Sequence, residues 1–174
     1  VVDGGYGFGN GRIIPAGPLR EPVAAAAARC RAAVLIGEDE AGVLGQLPPG
    51  LPVLRARLVA GPEAAVLAGQ PVFAFCGIAS PRKFFATLQE AGAILAGRES
   101  FADHYPFDEG DMQALLAQAE SLRALPVTTK KDFVRIPPQF RSRVTVVTVR
   151  LAWEEPAAIE SLLDPLAARV PIPA

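Results

Sequence analysis

Residues 3–12 of this chain read DGGYGFGNGR. The fold expected for the whole sequence is organised around this stretch. Glycine reaches positive φ without a Cβ clash and lets the backbone approach another surface closely, so a run this rich in glycine is typical of a shaped binding loop. A helical pattern begins at Pro22, after a segment bent by Pro15 and Pro18. A loop that opens onto a helix N-terminus presents free N–H groups to anions, and Arg20 would add a guanidinium fork for phosphate or carboxylate. The alternative is an ordinary structural turn between a strand and a helix.

The composition of the 174-residue chain favours one globular domain over residues 1–174 and excludes several classes of protein. Hydrophobic residues make up 51% and charged residues 20%, so disorder is not expected. The net charge of −1 gives no broad attraction to nucleic acid. Cys30 and Cys76 are far apart and only one histidine is available to join them, so we expect free thiols in a reducing cytoplasm and no zinc site. The sequence contains no run of about 18 apolar residues, so no membrane span is predicted. The N-terminus also lacks the pattern of a signal peptide.

Hydrophobic patterns predict strands that alternate with helices along the chain. The strongest strand is 71–77, which is apolar on both faces and is therefore expected at the centre of a sheet. Residues 144–153 alternate as a single half-exposed edge strand. Ser80 as N-cap and Pro81 at the first helical position begin a helix that ends at Gly92. Further strands are predicted at 33–36, 53–60, 93–96 and 125–129, and further helices at 21–31, 108–124, 130–136 and 156–169.

This alternation predicts an α/β fold, with a mostly parallel sheet and flanking helices. Ligands of such sheets bind at the carboxyl ends of the strands. Three loops follow predicted strands, at 3–21, 99–107 and 128–132. We expect these loops to converge on one edge of the protein and to carry its chemistry.

The second of these loops carries His104, the only histidine of the chain. An imidazole titrates near neutrality and can take or orient the proton of an attacking hydroxyl. Aromatic residues at 101, 105 and 107 would exclude water around the ring. Asp103 is adjacent in sequence, which does not place it against the ring, and capping of the turn is an equal alternative. The alternative for His104 is a loop histidine that only packs between aromatic side chains.

The third loop, Thr128-Thr129-Lys130-Lys131-Asp132, joins a strand to a short helical turn. Thr129 can cap that turn, and its hydroxyl is a general hydrogen-bonding group. Lys131 would meet a phosphate as a point charge, and Asp132 would accept from a donor on a base or sugar. The alternative is a capped helix with solvated charges.

Four stretches together resemble one enzyme family, the tetraacyldisaccharide 4′-kinases, which phosphorylate a lipid A precursor in Gram-negative bacteria. The resemblance is to the segment GFGNG at 7–11 followed by IIPAGPLREP at 13–22, to FADHYPF at 101–107, to TTKKD at 128–132 and to FAFCGIA at 73–79. These stretches occur in the same order as in the family, so the resemblance covers essentially the whole chain.

The resemblance implies a P-loop-NTPase-like, Rossmann-like three-layer fold and transfer of the γ-phosphoryl group of ATP, with Mg²⁺, to the 4′-hydroxyl of tetraacyldisaccharide 1-phosphate. It implies that His104 assists the acceptor hydroxyl together with an aspartate that has no counterpart in this sequence. Lys130 stands where the family usually has glutamate, which reverses the local charge. The implied substrate-binding residues are Asn10, Arg20, Glu21 and Asp103, with Glu21 orienting Arg20 or capping its helix, and the implied nucleotide-binding residues are Thr128, Thr129, Lys131 and Asp132.

A Walker A loop, G-x-x-x-x-G-K-[S/T], is absent from the sequence, because none of Lys83, Lys130 and Lys131 follows a glycine. We therefore expect the chain to be the C-terminal portion of such a kinase, inactive when tested alone. One alternative is a non-catalytic α/β domain that binds a sugar phosphate or a nucleotide, and another is a structural half that needs a partner to fold. The family resemblance also implies a cytoplasmic protein that can touch the inner membrane through sequence not present here.

Overall fold

The computed structural model describes residues 1–167, which form an α/β structure with two compact units. The first unit is Val1–Leu58 together with the chain from Leu151 onward, and the second is Val59–Arg150. The predicted α/β class with mostly parallel strands is confirmed, but the described strands form two four-stranded sheets instead of one. The expectation of a single domain over residues 1–174 stays a prediction, and each unit is described by itself.

The first unit is built on a sheet with the strand order β1-β2-β3-β8. Its strands are β1 (Val2–Asp3), β2 (Ala33–Ile36), β3 (Val53–Ala60) and β8 (Val149–Trp153). Strands β1, β2 and β3 run parallel, with Val2 opposite Leu35 and Val34 opposite Leu54. Its helices are α1 (Val23–Ala27) and α5 (Pro156–Ala167).

The second unit is a parallel sheet with the strand order β5-β4-β6-β7. Its elements in chain order are β4 (Pro71–Cys76), α2 (Pro81–Glu90), β5 (Ile94–Ser100), α3 (Glu109–Ser121), β6 (Leu125–Thr129), α4 (Lys130–Phe133) and β7 (Thr145–Val147). Short 3₁₀ segments at Pro62–Leu67 and Pro138–Arg143 also belong to this unit, and another, Leu44–Gln46, belongs to the first.

Strand β4 lies inside its sheet, as predicted, and both of its faces are covered. One face packs Val72, Ala74 and Cys76 against the side chains of α2. The other face packs Phe73 and Phe75 against the side chains of α3. Helices on opposite faces of one sheet give this unit the three-layer arrangement expected of its class.

Helices α2 and α3 begin where they were predicted, although Ser80, the N-cap residue of α2, makes no side-chain capping hydrogen bond. Helix α2 begins at Pro81 and is followed by Gly92 at φ 87°. In α3 the side chain of Asp108 accepts from the backbone N–H of Asp111 at 2.8 Å, and the Asp111 carboxylate accepts from the backbone N–H of Asp108 at 3.0 Å. Reciprocal capping of this kind satisfies two N–H groups that have no partner inside the helix.

Four predicted boundaries are wrong. The helix predicted at 130–136 ends at Phe133. The helix predicted at 21–31 is only the five residues of α1, of which Ala27 alone is buried, so its alanine surface has little to pack against. The strand predicted at 93–96 continues to Ser100, because an edge strand tolerates polar residues on its solvated face. The strand predicted at 144–153 is two strands in different sheets, because both the backbone N–H and the hydroxyl of Thr148 bind the carboxylate of Glu63 and interrupt the ladder. For the helix predicted at 156–169, residues 168 and 169 lie outside the described residues.

Candidate functional site

The glycine-rich loop of the first unit is held in shape by Asn10. Its Nδ2 donates to the carbonyl of Ala16 at 2.9 Å, and its Oδ1 accepts from the backbone N–H of Arg12 at 3.1 Å. Gly17 packs directly against this amide, where a Cβ would collide with Asn10 Oδ1. Gly9 has a φ of 63°, and a Cβ there would lie 2.7 Å from Cγ of Pro18. The side chain of Asn10 therefore shapes the loop, and its assignment to substrate binding stays a prediction.

Arg20 and Glu21, which follow this loop, have different surroundings. The side chain of Arg20 is exposed. Glu21 forms a two-pronged pair with Arg29, in which Nη1 donates to Oε2 at 2.8 Å, and this hydrogen bond is the main reason that the pKa of Glu21 is lowered. Glu21 thus does not orient Arg20 here, and Pro22 occupies the N-cap position of the helix. A helix as short as α1 contributes little dipole, so the anion site expected at its N-terminus is not supported.

A cavity of about 300 Å³ lies in the first unit next to Arg20 and Glu21. Its walls are mainly apolar and include Phe8 and Leu19 of the glycine-rich loop. Arg20 and Glu21 are thus the charged residues that line a mainly apolar cavity, a combination common in small-molecule sites.

The histidine loop of the second unit follows the carboxyl end of β5 and is tied to the neighbouring strand β4. The backbone N–H of Phe101 donates to the carbonyl of Cys76 at 2.9 Å, and that of His104 donates to the carbonyl of Gly77 at 3.0 Å. A Cβ on Gly77 would lie 3.0 Å from Cβ of Tyr105, so a side chain there would require the histidine loop to shift. His104 itself has a left-handed backbone with φ 63°, a strained conformation that persists where surrounding contacts hold it.

The imidazole of His104 projects into solvent, with 79% of its side chain exposed. The nearby aromatic residues pack on one another instead of shielding it, with the rings of Phe101 and Tyr105 4.6 Å apart and Phe107 edge-on to both. The expectation that these rings exclude water from His104 is therefore wrong, because they face the core cluster under α3. The Nε2 atom of His104 is 3.8 Å from Oδ2 of Asp103, close enough for charge attraction but longer than a hydrogen bond.

Sequence reasoning missed Arg135, which joins the histidine loop to the third loop. Its Nη2 lies 3.2 Å from Nδ1 of His104, and its Nη1 lies 3.0 Å from Oδ1 of Asp132. Nη1 also donates to the carbonyl of Gly77 at 3.3 Å. The available signal was the spacing of Asp132 and Arg135, three residues apart at a helical turn, since a buried carboxylate needs a cation. The loops at 99–107 and 128–132 thus meet at the carboxyl edge of the second sheet.

The third loop uses most of its polar groups inside the protein. Thr129 caps α4 by accepting from the backbone N–H of Asp132 at 3.1 Å, and its hydroxyl donates to Oδ2 of Asp132 at 2.7 Å. The hydroxyl of Thr128 donates to the carbonyl of Phe75 at 2.8 Å. Thr128 and Asp132 are both fully buried. Their polar atoms are paired inside the protein, which gives both side chains a structural role, and their assignment to nucleotide binding stays a prediction.

The two lysines of this loop are exposed. Lys131 remains available to a phosphate. The positive charge of Lys130 contributes to lowering the pKa of Glu63, after the larger effect of the hydrogen bonds from Thr148. The basic residue at position 130 therefore has an acidic neighbour within its own unit, where glutamate, the residue usual in the family, would meet repulsion.

The described residues offer no metal centre of their own. Among residues 1–167, no group of three or more histidine, cysteine, aspartate or glutamate side chains could hold a metal ion. The carboxylate of Asp132, the buried acid of the second unit, already binds Thr129 and Arg135. None of the helices within this range is both long and apolar enough to cross a bilayer.

Comparison with known proteins gives matches of this chain to one family. Residues 1–167 match the family model described as tetraacyldisaccharide-1-P 4′-kinase. A tetraacyldisaccharide 4′-kinase of Rhodospirillum rubrum is 55% identical over 170 residues, which is 95% of this chain and 51% of that protein. One of Rhodospirillum centenum is 53% identical over 167 residues, covering 95% of this chain and 50% of that protein. The chain thus spans about half the length of the curated relatives it matches.

A solved structure shares the fold. It is described as the apo form of LpxK from Aquifex aeolicus in complex with ATP, and it is 21% identical with a TM-score of 0.56. The match covers 89% of this chain and 48% of that one. This likeness supports the predicted α/β fold with mostly parallel strands and flanking helices.

Proposed function

This chain belongs to the tetraacyldisaccharide-1-P 4′-kinase family, and from that premise we propose that it forms part of a lipid A kinase. The reaction is transfer of the γ-phosphoryl group of ATP to the 4′-hydroxyl of tetraacyldisaccharide 1-phosphate. The observation that carries the proposal is the family match over residues 1–167. It is supported by the naming of the relatives as tetraacyldisaccharide 4′-kinases and by the ATP complex of the structural neighbour.

Catalysis of phosphoryl transfer consists mainly of positioning the reactants and stabilising charge. His104 is the titratable side chain suited to positioning, since its imidazole is exposed at the carboxyl edge of a parallel sheet. Asp103 lies beside it and belongs to the same acceptor-binding group. Arg20 and the exposed Lys131 offer cationic donors for phosphate oxygens, Arg20 in a bidentate manner and Lys131 as a point charge.

ATP and Mg²⁺ need residues beyond those of this sequence. The 174 residues contain no Walker A loop to surround the phosphates. Mg²⁺ would supply neutralisation of the phosphate charge, and because residues 1–167 contain no group of three or more acidic, histidine or cysteine side chains that could hold a metal ion, we assign it no ligand in this chain. We propose that the 174-residue chain alone does not turn over ATP, and that the complete enzyme works in the cytoplasm, at the inner membrane where its lipid acceptor lies.

The test uses a chimera in which this chain replaces the matching segment of the Rhodospirillum rubrum relative. We expect the chimera to phosphorylate tetraacyldisaccharide 1-phosphate. His104→Ala should lower kcat about 100-fold, as expected for loss of a group that positions the reacting hydroxyl. Arg20→Ala should lower kcat/KM about 10-fold or more, as expected for loss of a charged hydrogen bond. The control is Arg82→Met, at an exposed position on α2, which should leave the rate unchanged. Full activity of the His104→Ala chimera would contradict the assignment of His104.

A second candidate function is a non-catalytic α/β domain that binds a sugar phosphate or a nucleotide. The absence of a Walker A loop favours it. Calorimetry of the 174-residue chain with ATP and with the disaccharide phosphate distinguishes the two: a tight complex, together with an inactive chimera, would favour the binding domain over the kinase.

A further inference from the structure

The second unit contains a chain of polar contacts that runs from a buried cap to an exposed imidazole. Thr129 donates to Oδ2 of Asp132 at 2.7 Å, and Oδ1 of the same carboxylate lies 3.0 Å from Nη1 of Arg135. Nη2 of Arg135 then lies 3.2 Å from Nδ1 of His104. Exposure rises along this chain, from 0% for the side chain of Asp132 to 20% for Arg135 and 79% for His104.

The two amino groups of the Arg135 guanidinium make different contacts. One amino group is fixed by the buried carboxylate of Asp132 and by the carbonyl of Gly77, at 3.0 and 3.3 Å. A planar guanidinium held at one amino group has its other amino group fixed in direction as well. The second amino group is the one that meets the histidine ring, so the buried pair determines where that N–H points.

We propose that Arg135 is a positioning residue that holds His104 as the tautomer with its proton on Nε2. This inference deepens the proposed function, since it concerns the residue assigned to the acceptor hydroxyl. A guanidinium has five N–H donors and no acceptor. Nδ1 of His104 must therefore accept from Arg135, and an accepting nitrogen of a neutral imidazole carries no proton.

The consequence is that His104 presents an N–H donor to its surroundings. Nε2 faces Oδ2 of Asp103 at 3.8 Å, on the solvent side of the loop. A ring with Nδ1 occupied and Nε2 protonated orients an acidic or phosphate oxygen instead of removing a proton itself. The Arg135 guanidinium contacts the ring at Nδ1, while the hydrogen bond from the His104 backbone N–H to Gly77 holds the main chain of residue 104 in its left-handed conformation.

The experiment is a ¹⁵N spectrum of the ring in the ¹⁵N-labelled 174-residue chain, recorded at a pH where the ring is neutral. His104 is the only histidine, so both ring signals belong to it without further assignment. A peptide of residues 101–107 supplies the reference for a ring exposed only to water. We expect the folded chain to show Nε2 protonated and Nδ1 in the position of an unprotonated, hydrogen-bonded nitrogen, displaced from the peptide value.

Variants separate positioning by Arg135 from a general effect of mutation. Arg135→Met removes the donors and should move the Nδ1 signal to that of the peptide, whereas Arg135→Lys should leave an intermediate displacement. Arg135→Met leaves the buried carboxylate of Asp132 without its cation, which destabilises the protein. The double variant Asp132→Asn/Arg135→Met removes that charge as well, and it provides a folded protein that also lacks the donors. Arg82→Met is the matched control and should leave the spectrum unchanged.

A wild-type spectrum with the proton on Nδ1, or one equal to that of the peptide, would overturn the proposal without any variant. An unchanged Nδ1 signal in Arg135→Met or in the double variant would do the same. These readings require no ATP and no lipid, so they stand or fall separately from the kinase assay on the chimera.

Discussion

Removing Arg135 tests how far the second unit depends on its buried ion pair. The carboxylate of Asp132 is fully buried and binds Nη1 of Arg135 at 3.0 Å and the hydroxyl of Thr129 at 2.7 Å. Stripping one partner from a buried pair typically costs about 3–5 kcal/mol. Arg135 is 20% exposed and Thr129 still serves Oδ2, so we expect Arg135→Met to lower the free energy of unfolding by about 2–4 kcal/mol.

Removing the acid of this pair is expected to lower the free energy of unfolding by less than removing the base. Asp132→Asn removes the buried charge and leaves an amide oxygen for Arg135, which also reaches water and the Gly77 carbonyl, so the loss should be about 1–2 kcal/mol. The double variant no longer contains an unpaired buried charge. We therefore expect its loss to fall short of the sum of the single losses by about 1–3 kcal/mol, which is the coupling energy of residues in direct contact.

The assay is urea unfolding of the 174-residue chain and its three variants, followed by far-UV circular dichroism. Coincidence with the fluorescence of Trp153, the only tryptophan, shows whether one transition describes both units. Arg82→Met should stay within about 0.5 kcal/mol of wild type, as for other exposed substitutions. Arg135→Met within that same margin, or a double variant that loses the full sum, would refute the reasoning.

Further predictions concern the two thiols and the edge strand β5. A disulfide reagent at pH 8 should titrate one thiol in the folded chain and two after denaturation, since Cys30 is exposed and Cys76 is buried; two equally fast thiols in the folded chain would contradict this. Burial, and then the charge of Asp132, raises the pKa of Cys76 from 9.0 to about 12. Between pH 9 and pH 12 the Cys76 thiol therefore keeps its proton in the folded state and loses it in the unfolded state. The free energy of unfolding should fall over this range by up to about 1.4 kcal/mol per pH unit. Urea unfolding at pH 8 and pH 10 should show a smaller alkaline loss for Cys76→Ala than for wild type; equal losses would count against it. Gly97→Ala should destabilise by about 1–3 kcal/mol, because its Cβ would lie 2.7 Å from the ring of Phe73, and an unchanged melting temperature would show that the strand can shift.

Local sequence signals predicted most of the elements because they act over a few residues. The strand at 53–60 and the strand at 125–129 have the predicted bounds, since hydrophobic alternation and apolar runs reflect burial directly. Helix α3 begins after a capping box at Asp108, where acids were expected at the positive end of the helix. Such features need no knowledge of distant parts of the chain.

Long-range contacts account for what the sequence could not predict. Thr148 breaks an alternating strand because its partner is Glu63, 85 residues away along the chain. Arg135 contacts His104 across 31 residues, and its spacing from Asp132 indicates an ion pair but not this contact. The hydroxyl of Thr128 binds the carbonyl of Phe75, 53 residues away, and the local sequence of residues 128–132 could not predict this contact.

The central claim, that this chain supplies part of a tetraacyldisaccharide 4′-kinase, is tested most directly by phosphate transfer from labelled ATP. The 174-residue chain and the chimera with the Rhodospirillum rubrum relative are assayed side by side with tetraacyldisaccharide 1-phosphate, and the position of the new phosphate is read by tandem mass spectrometry. The account predicts one phosphate added at the 4′-hydroxyl by the chimera and none by the chain alone. A folded chimera that transfers no phosphate, or a purified chain that does so unaided, would contradict it.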